Sequence, residues 1–406
     1  MGAKTEAPKP IAATVDSKTP HLRLLALSSP GGFSGLPEAV LGQLGEHCEV
    51  VSVIDGLKVP RLDRLRMAAR TVRPRRGDWG RGYYAALGRY TKRPSTLRKR
   101  IRRCEGELNR LQGSYDVIYQ FGALFGALKR PCNAPLILHI DFTTGLAEKY
   151  YPAWLPESPA DTEEWFIIEE RIYQSADLIL VPTHLVSRSL SEHYHVNAAK
   201  IAVVGMGAHI DDLAEDFAKR QNRVLVFAGP DFHRHGGELA LQIFEGVRGH
   251  SPDATLTTVT NRSVKAAGVR NIGIVSRTRL HEILKQAAVL LMPGAVGGYQ
   301  TVTEAMAAKC LCVVAEDNPH MSGLIRNDEN GLTVTAASIA QTADAIAGYL
   351  KSADRLRAIG ENARRHVVGE CSWPRIVDRI WREIETRFPT WTSSEHHDPP
   401  RALQQC

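Results

Sequence analysis

The sequence has 406 residues, more than one compact core usually serves, so two or three domains are expected. Its 43% hydrophobic and 23% charged residues can bury sizeable cores, which excludes a mainly disordered chain. The formal charge of +7 raises nucleic acid as a partner, and the placement of that charge decides how seriously to take it.

In chain order, residues 1–20 hold Lys, Pro, Thr and Ala without an apolar segment, and read as a disordered leader, not a secretion signal. Cytoplasmic placement is therefore expected. Leu22 to Leu27 is a short apolar run ending in a Ser-Ser-Pro-Gly31-Gly32 turn, followed by a helical pattern from Leu36 to Leu44. Strand, Gly-rich turn and helix open a nucleotide-binding βαβ unit. Val50–Ile54, Val117–Gln120, Leu136–Ile140 and Leu178–Val181 are further short apolar segments separated by helical stretches, and this alternation predicts a parallel sheet covered on both faces. The cycle restarts at Arg223–Gly229, with strands at Thr255–Val259, Val289–Met292 and Leu311–Ala315 and helices near 236–250, 278–287 and 300–308. Two Rossmann-like doubly wound units imply a ligand in the cleft between them. The hinge is expected near Gly205–Asp211. Ser338–Leu350 and Ala353–Arg387 read as long helices, and 389–406 as a disordered tail.

The longest apolar stretches, such as Ala287–Met292, are far shorter than the roughly 18 residues of a membrane span. Seven scattered cysteines include no CxxC pair, and Cys310-Leu311-Cys312 runs into Val313 and Val314 as a buried strand end would. No metal site is expected.

From Arg61 to Arg103, sixteen Arg and Lys stand against two acids, Asp63 and Asp78, so the other 363 residues carry about −7. One insertion makes the protein basic. Trp79, Tyr83, Tyr84, Leu87 and Tyr90 are interleaved with the cations, a composition suited to an anionic membrane surface. Nucleic acid would accept the same charge, but no helix-turn-helix, zinc or RNA-binding signature accompanies it. A solvated insertion with no partner is the plain alternative.

The segment from Pro293 through Gly297, Gly298, Tyr299, Gln300 and Thr301 to Glu304 runs from a strand through a Gly-Gly loop into a helix. Backbone N–H groups and the dipole at such a helix start suit a diphosphate, and the glycines allow close approach. Glu304, one turn on, is placed to accept hydrogen bonds from a ribose. A capping box between Thr301 and Glu304 would explain the same residues.

Glu304-Ala-Met-Ala after the Gly loop, with Cys312-Val-Val, resembles the C-terminal signature of the family 4 retaining glycosyltransferases of the GT-B fold. Ile168 to Val181, Ala199 to Gly207, Phe227 to Glu238, Asn330 to Val334 and Leu356 to Trp373 resemble further family blocks in the same order. Coverage is good over 135–388 and weak before it. The resemblance implies an α/β GT-B architecture: an acceptor-side domain over 21–207, a donor nucleotide-binding domain over 208–370, and a closing helix at 371–388 that packs back toward the first domain. It implies a hexosyltransferase-type enzyme that moves a sugar from a nucleotide diphosphate sugar to a carbohydrate, glycolipid or small-molecule acceptor, with retention.

Three positions depart from the family. Its two glutamates have seven residues between them, and Val296 occupies the first position. The phosphate loop usually carries Arg after its first Gly and Lys before its Gly pair, where this chain has Pro230 and His235. Arg234 can supply the lost charge, and His235 binds phosphate as a cation only below its own pKa, which a diphosphate would raise. In the first domain Leu138 to Gly145 ends a strand at the cleft, and Asp141, with His139 as the alternating neighbour, is the expected sugar- or acceptor-side group; a helix N-cap would also explain Asp141. Gly31 and Gly32 are expected to face the donor. No cofactor is implied beyond the sugar nucleotide as substrate. The alternative, favoured by Val296, Pro230 and His235, is a non-catalytic GT-B subunit that supports a partner transferase.

Overall fold

A computed structural model describes residues 22–29, 36–71, 76–131, 134–208, 210, 213 and 223–389. Gly31, Gly32 and nearly all of the expected leader and tail lie outside the described residues.

Short runs of β-branched and aliphatic residues form two six-stranded sheets in which every pairing is parallel. The first contains β1 (Arg23–Ser28), β2 (Glu49–Asp55), β3 (Val117–Phe121), β4 (Leu136–His139), β5 (Leu178–Val181) and β6 (Ile201–Val203), in the order β2-β1-β3-β4-β5-β6. The second contains β7 (Val224–Ala228), β8 (Thr255–Val259), β9 (Val269–Asn271), β10 (Val289–Met292), β11 (Leu311–Ala315) and β12 (Leu332–Val334), in the order β12-β11-β10-β7-β8-β9. Both orders are doubly wound. The direction of winding reverses between β1 and β3 in one sheet and between β7 and β10 in the other, and a crevice opens at the carboxyl ends of such strand pairs. This is the expected GT-B architecture of two Rossmann-like sheets.

The helices are α1 (Leu36–Leu44), α2 (Arg61–Thr71), α3 (Arg76–Thr91), α4 (Pro94–Arg110), α5 (Thr144–Tyr150), α6 (Pro159–Ser175), α7 (His184–Tyr194), α8 (Gly237–His250), α9 (Arg277–Gln286), α10 (Tyr299–Ala307), α11 (Ile339–Lys351), α12 (Ala353–Glu370) and α13 (Trp373–Arg387). The basic insertion is therefore α2, α3 and most of α4. Among the described residues no helix is long and apolar enough to cross a membrane.

The helical stretch read over 353–387 divides into α12 and α13. Pro374 has no N–H to give to the carbonyl four residues back, and Ser372 takes an extended conformation, so α12 ends before it and α13 starts in a new direction. The change of direction has a packing consequence. Trp373, Ile376, Val377, Ile380 and Ile384 of α13 join Leu36, Val40, Leu44 and Val117 in the core of the first sheet, and Ala208 N–H donates to Cys371 O at 2.8 Å. The last helix thus straps the second half to the first.

The strands β9 and β12 were not anticipated. Each is a three-residue edge strand, too short for a periodic signal. Cys310 and Cys312 are fully buried at the start of β11, where the Cys310 thiol donates weakly to the carbonyls of Leu284 and Ala287.

Candidate functional site

Two loops meet at the reversal of the second sheet. The turn after β7 (229–236) and the turn after β10 (293–298) touch backbone to backbone: a Cβ on Gly236 would lie 2.6 Å from Gly294 N, and one on Gly294 would lie 2.6 Å from Arg234 O. Gly236, Gly297 and Gly298 all take positive φ, between 79° and 82°, a conformation that glycine adopts without strain. Asn318, just past β11, donates from Nδ2 to Gly294 O (2.8 Å) and Gly297 O (3.2 Å), so three strand ends are tied into one surface.

The structure brings Arg234, His235, Gly297 and Gly298 together there. His235 is buried, and its ring lies next to Gly297, with Nε2 3.7 Å from where a Cβ on that glycine would stand. Its Nδ1 sits 2.7 Å from the Asp231 carbonyl, which fixes the tautomer with Nε2 toward the loop. Burial lowers its pKa, so the ring is neutral at pH 7. The Arg234 guanidinium lies 3.5 Å from His235 Nε2 and stands over the Tyr151 ring, 4.9 Å from its centre. Tyr151 belongs to the first sheet's half, so the loop faces the cleft.

Helix α10 starts at Tyr299, with Gly298 as its N-cap and no side-chain cap. Thr301 is already inside the first turn, so the capping box with Glu304 does not form. Glu304 is buried instead against α9: Arg277 Nε lies 3.0 Å from Oε1 and His281 Nε2 lies 3.3 Å from Oε2. Burial pushes its carboxyl up to about 7, and Arg277 pulls the other way. Arg277 also donates to Gln300 Oε1 at 3.0 Å. The Tyr299 hydroxyl points away from the loop, toward Met206 O (3.2 Å) and Cys371 Sγ (3.3 Å) at the hinge. Its backbone, not its ring, belongs to the helix start.

On the first sheet's side, His139 does not reach the cleft as expected. It is buried with Nδ1 2.9 Å from the Tyr119 hydroxyl and its ring stacked on Phe121, and burial lowers its pKa to about 4. β4 ends at His139, so the period-2 rule that would set residues 139 and 141 on one face does not extend to Asp141, and His139 lies in the core. Asp141 is part-buried past the end of β4, where its own and the Phe142 backbone N–H groups hydrogen-bond to its carboxylate while burial raises its pKa. Thr143 caps α5, accepting from Leu146 N–H, so the N-cap explanation of Asp141 falls.

Several residues of the site gave no sequence signal. Buried Glu169 accepts from the hydroxyls of Tyr173 (2.8 Å) and Tyr194 (2.5 Å), and the Tyr194 hydroxyl accepts from Gly145 N–H (2.8 Å), which pins the start of α5 just after Asp141. Phe142, Tyr151 and Trp154 form an aromatic cluster, and His320 from the second half stacks on Phe142 at 5.5 Å. Val296 packs against Ala147 and Tyr151. A cavity of about 1080 Å³ lies beside this contact, between Thr183, His184 and Arg188 on one wall and Asn318, His320 and Arg326 on the other. It reaches Tyr299 but not Arg234 or Glu304, so the chemistry sits at its margin. Among the described residues no three His, Cys, Asp or Glu side chains cluster as a metal site.

The class this geometry defines is a GT-B protein of two Rossmann-like sheets, with a glycine-rich loop at the reversal of the second. Residues 208–366 match the family described as Glycosyl transferases group 1. The chain is 25% identical over 293 residues to D-inositol 3-phosphate glycosyltransferase of Corynebacterium aurimucosum, covering 64% of this chain and 69% of that protein. Solved structures with the same fold include a glycosyltransferase from Rickettsia africae (TM-score 0.58, 14% identity, 90% of this chain and 98% of that one). Sucrose-phosphate synthase from Thermosynechococcus elongatus is similar (0.60, 14%, 91% and 100%), as is HepE from Anabaena, solved with UDP and glucose (0.57, 13%, 90% and 100%). The second domain therefore resembles a group 1 glycosyltransferase domain, on a GT-B fold.

Proposed function

We propose that this protein transfers a hexose, with retention of anomeric configuration, from a nucleoside-diphosphate sugar to an acceptor hydroxyl. The observation that carries the reading is the meeting of Arg234, His235, Gly297 and Gly298 at the N-terminus of α10, on the crevice where the second sheet reverses. In the reaction the bond from C1 to the phosphate oxygen breaks and one from C1 to the acceptor oxygen forms. The leaving diphosphate takes the growing charge, so its stabilisation matters more than a protein nucleophile. Arg234 supplies a constant cation, the α10 start supplies N–H groups, and His235 becomes a cation as the diphosphate arrives. Asp141 is the acceptor-side carboxylate. Glu304 takes the ribose hydroxyls, in exchange for its contacts with Arg277 or His281.

The acceptor lies near a membrane surface in this reading. On α2, Leu62 and Leu65 are 68% and 66% exposed, Tyr84 on α3 is 72% exposed, and Arg61, Arg64, Arg89 and Arg102 are exposed around them. Other cations of the insertion have internal duties: Arg100 is buried and donates to Leu124 O at 3.1 Å, Arg103 donates to the Asp55 and Lys58 carbonyls, and Arg98 pairs with Glu164. The exposed set suffices for reversible binding to an anionic leaflet.

A thermal-shift panel of nucleoside diphosphates tests the donor side. A ligand at 100 times its Kd stabilises by about 2.7 kcal/mol, and Arg234→Ala should abolish the shift. Transfer from the donor so identified, with the product anomer read by proton NMR, tests retention. A shift without turnover, together with binding to another transferase, would instead select the supporting-subunit reading that Val296 favours.

A further inference from the structure

The basic insertion and the edge of the first sheet enclose a cavity of about 1020 Å³. Strand β2 is the outermost strand, paired only with β1, and Ser52, Val53, Ile54 and Asp55 form one wall. α3 supplies Tyr83, Tyr84 and Leu87, which at spacings of three and four residues share a helix face. α4 supplies Arg103, Glu107, Arg110 and Leu111, and the chain leaving β2 adds Lys58, Val59 and then Arg61 and Arg64 of α2. No residue of this lining belongs to the donor loops or to the cavity between the two halves. The apolar part of the lining is open to solvent. Val53 is 49% exposed on an edge strand, where proteins usually place a charge or cover the edge, and Ile54, Val59, Tyr83, Leu87 and Leu111 are half-buried around it.

Among the described residues five cations and two acids line the cavity. Both acids are engaged: Asp55 accepts from Leu57 N–H at 3.0 Å, and Glu107 pairs with Arg110. Arg103 is engaged as well, because it donates to the Asp55 and Lys58 carbonyls and so ties α4 to the turn after β2. The ion pairs of the insertion among the described residues belong to Arg66, Arg98, Lys99 and Arg110. Lys58, Arg61 and Arg64 are left, all exposed, as a positive rim on an apolar pocket. Arg61 and Arg64 share one face of α2. Leu62 and Leu65, exposed by 68% and 66%, each follow one residue later and about 100° round the helix, so the cavity and the exposed leucines occupy adjoining faces. Tyr83 and Tyr84, with rings edge to face at 5.8 Å, suit the boundary between a wet head and a dry tail. We propose that this cavity binds one molecule of an anionic lipid, with its phosphate at Lys58, Arg61 and Arg64 and an acyl chain along Val53, Tyr83, Leu87 and Leu111. A free phosphate would use the rim alone, and an acidic peptide would leave the apolar wall uncovered. The inference rests on the membrane-proximal reading and adds a built site to it: scattered cations attract any anionic surface, whereas this cavity takes up a single lipid with its tail.

The test uses the full chain and short-chain lipids below their micelle concentrations, so that no bilayer is present. In calorimetry, dihexanoyl phosphatidylglycerol is expected to bind one molecule per chain, at least tenfold more tightly than dihexanoyl phosphatidylcholine or glycerol 3-phosphate. Shortening its chains to butanoyl should weaken binding at least fourfold, about the worth of one buried methylene. That series is read on the wild type and needs no variant. Val53→Asp, at an exposed position, should weaken binding at least tenfold, and Arg61→Ser with Arg64→Ser should erase the preference for phosphatidylglycerol. Leu62→Ser with Leu65→Ser should keep the affinity for the monomeric lipid within twofold while weakening co-sedimentation with phosphatidylglycerol vesicles. The proposal is overturned by an affinity independent of chain length, by glycerol 3-phosphate binding as tightly as the lipid, or by hexaglutamate binding more tightly, which would make the cavity an acidic-peptide site. Vesicle binding by the wild type without uptake of monomeric lipid strikes the cavity and leaves the membrane reading standing. Uptake of the monomer without vesicle binding does the reverse.

Discussion

Glutamate 304 offers a measurement in which the sign distinguishes two physical accounts of the same contact. Its side chain is 3% exposed, with Arg277 and His281 of α9 at ion-pair distance. If the arginine dominated, the carboxyl would titrate below its usual 4.5; with burial dominating, it titrates at about 7. A shift of that size corresponds to about 3 kcal/mol at 1.36 kcal/mol per unit. The folded state then holds this proton more tightly than the unfolded state. The stability it contributes is fully present below pH 4.5 and is lost as pH rises through 7. Glu304→Gln removes the titration while keeping the shape. Urea unfolding of both proteins from pH 4.5 to 8 should therefore give a difference curve in which the wild type loses about 3 kcal/mol relative to the variant. Comparing the two cancels other titrating groups, including buried His139 and His320, whose lowered pKa values act in the opposite direction. A flat difference curve, or one in which the wild type gains with pH, would refute the dominance of burial. If Glu304 holds the ribose as proposed, the same variant should weaken the nucleoside-diphosphate shift, because an amide has one acceptor oxygen where a carboxylate has two.

Other expectations follow from the same geometry. Gly236→Ala should cost more than about 2 kcal/mol in thermal denaturation, since its φ is +80° and its Cβ would press on the Pro293–Gly294 backbone. Gly106→Ala, mid-helix with nothing within 4 Å, should stabilise by about 1 kcal/mol. Nucleoside-diphosphate binding should take up part of a proton at His235, so that calorimetric heats differ between buffers of unlike ionisation enthalpy, affinity strengthens as pH falls from 8 to 6, and His235→Gln removes both effects. Val296→Glu should destabilise by about 1–3 kcal/mol without raising turnover, because the new carboxylate would be buried against Ala147 and Tyr151. Co-sedimentation with phosphatidylglycerol vesicles should be lost when Leu62, Leu65, Arg61 and Arg64 become Ser, at about 1 kcal/mol per cation. Arg100 must stay intact in that experiment, since its replacement would orphan the Leu124 carbonyl.

The fold was legible wherever a strand was buried on both faces. Segments such as Leu178–Val181 and Val289–Met292 are continuous apolar runs because parallel strands with helices above and below have no wet side. Edge strands escape that logic: β9 is Val269-Arg-Asn271, mostly exposed and indistinguishable from a loop. The backbone of the candidate donor loop was legible because glycine marks positive φ and close approach, and both occur at 297 and 298. The surroundings of Glu304 were not legible, because Arg277 and His281 lie on a neighbouring helix more than twenty residues away and carry no local pattern. His139 was misjudged for a related reason. Residues 139 and 141 would share one face of a continuous strand, but β4 ends at His139, and the packing of Phe121 and Tyr119 makes that ring part of the core.

The departures at Val296, Pro230 and His235 look like losses along the sequence, but in space they form one change. Replacing a carboxylate at 296 with an isopropyl group lets that loop bury itself on Ala147 and Tyr151 of the other half. The same Tyr151 ring then lies beneath Arg234, and its hydroxyl sits 3.2 Å from where a Cβ on Gly297 would stand. A glutamate at 296 would bring a charge into this apolar contact with Ala147, at a desolvation cost. With valine there, the ring can approach and hold Arg234 at the phosphate loop, which the neutral His235 alone could not charge. Val296 and Arg234 both pack on Tyr151, so the destabilisation by Val296→Glu and by Arg234→Ala, read in thermal denaturation, should be non-additive in the double variant.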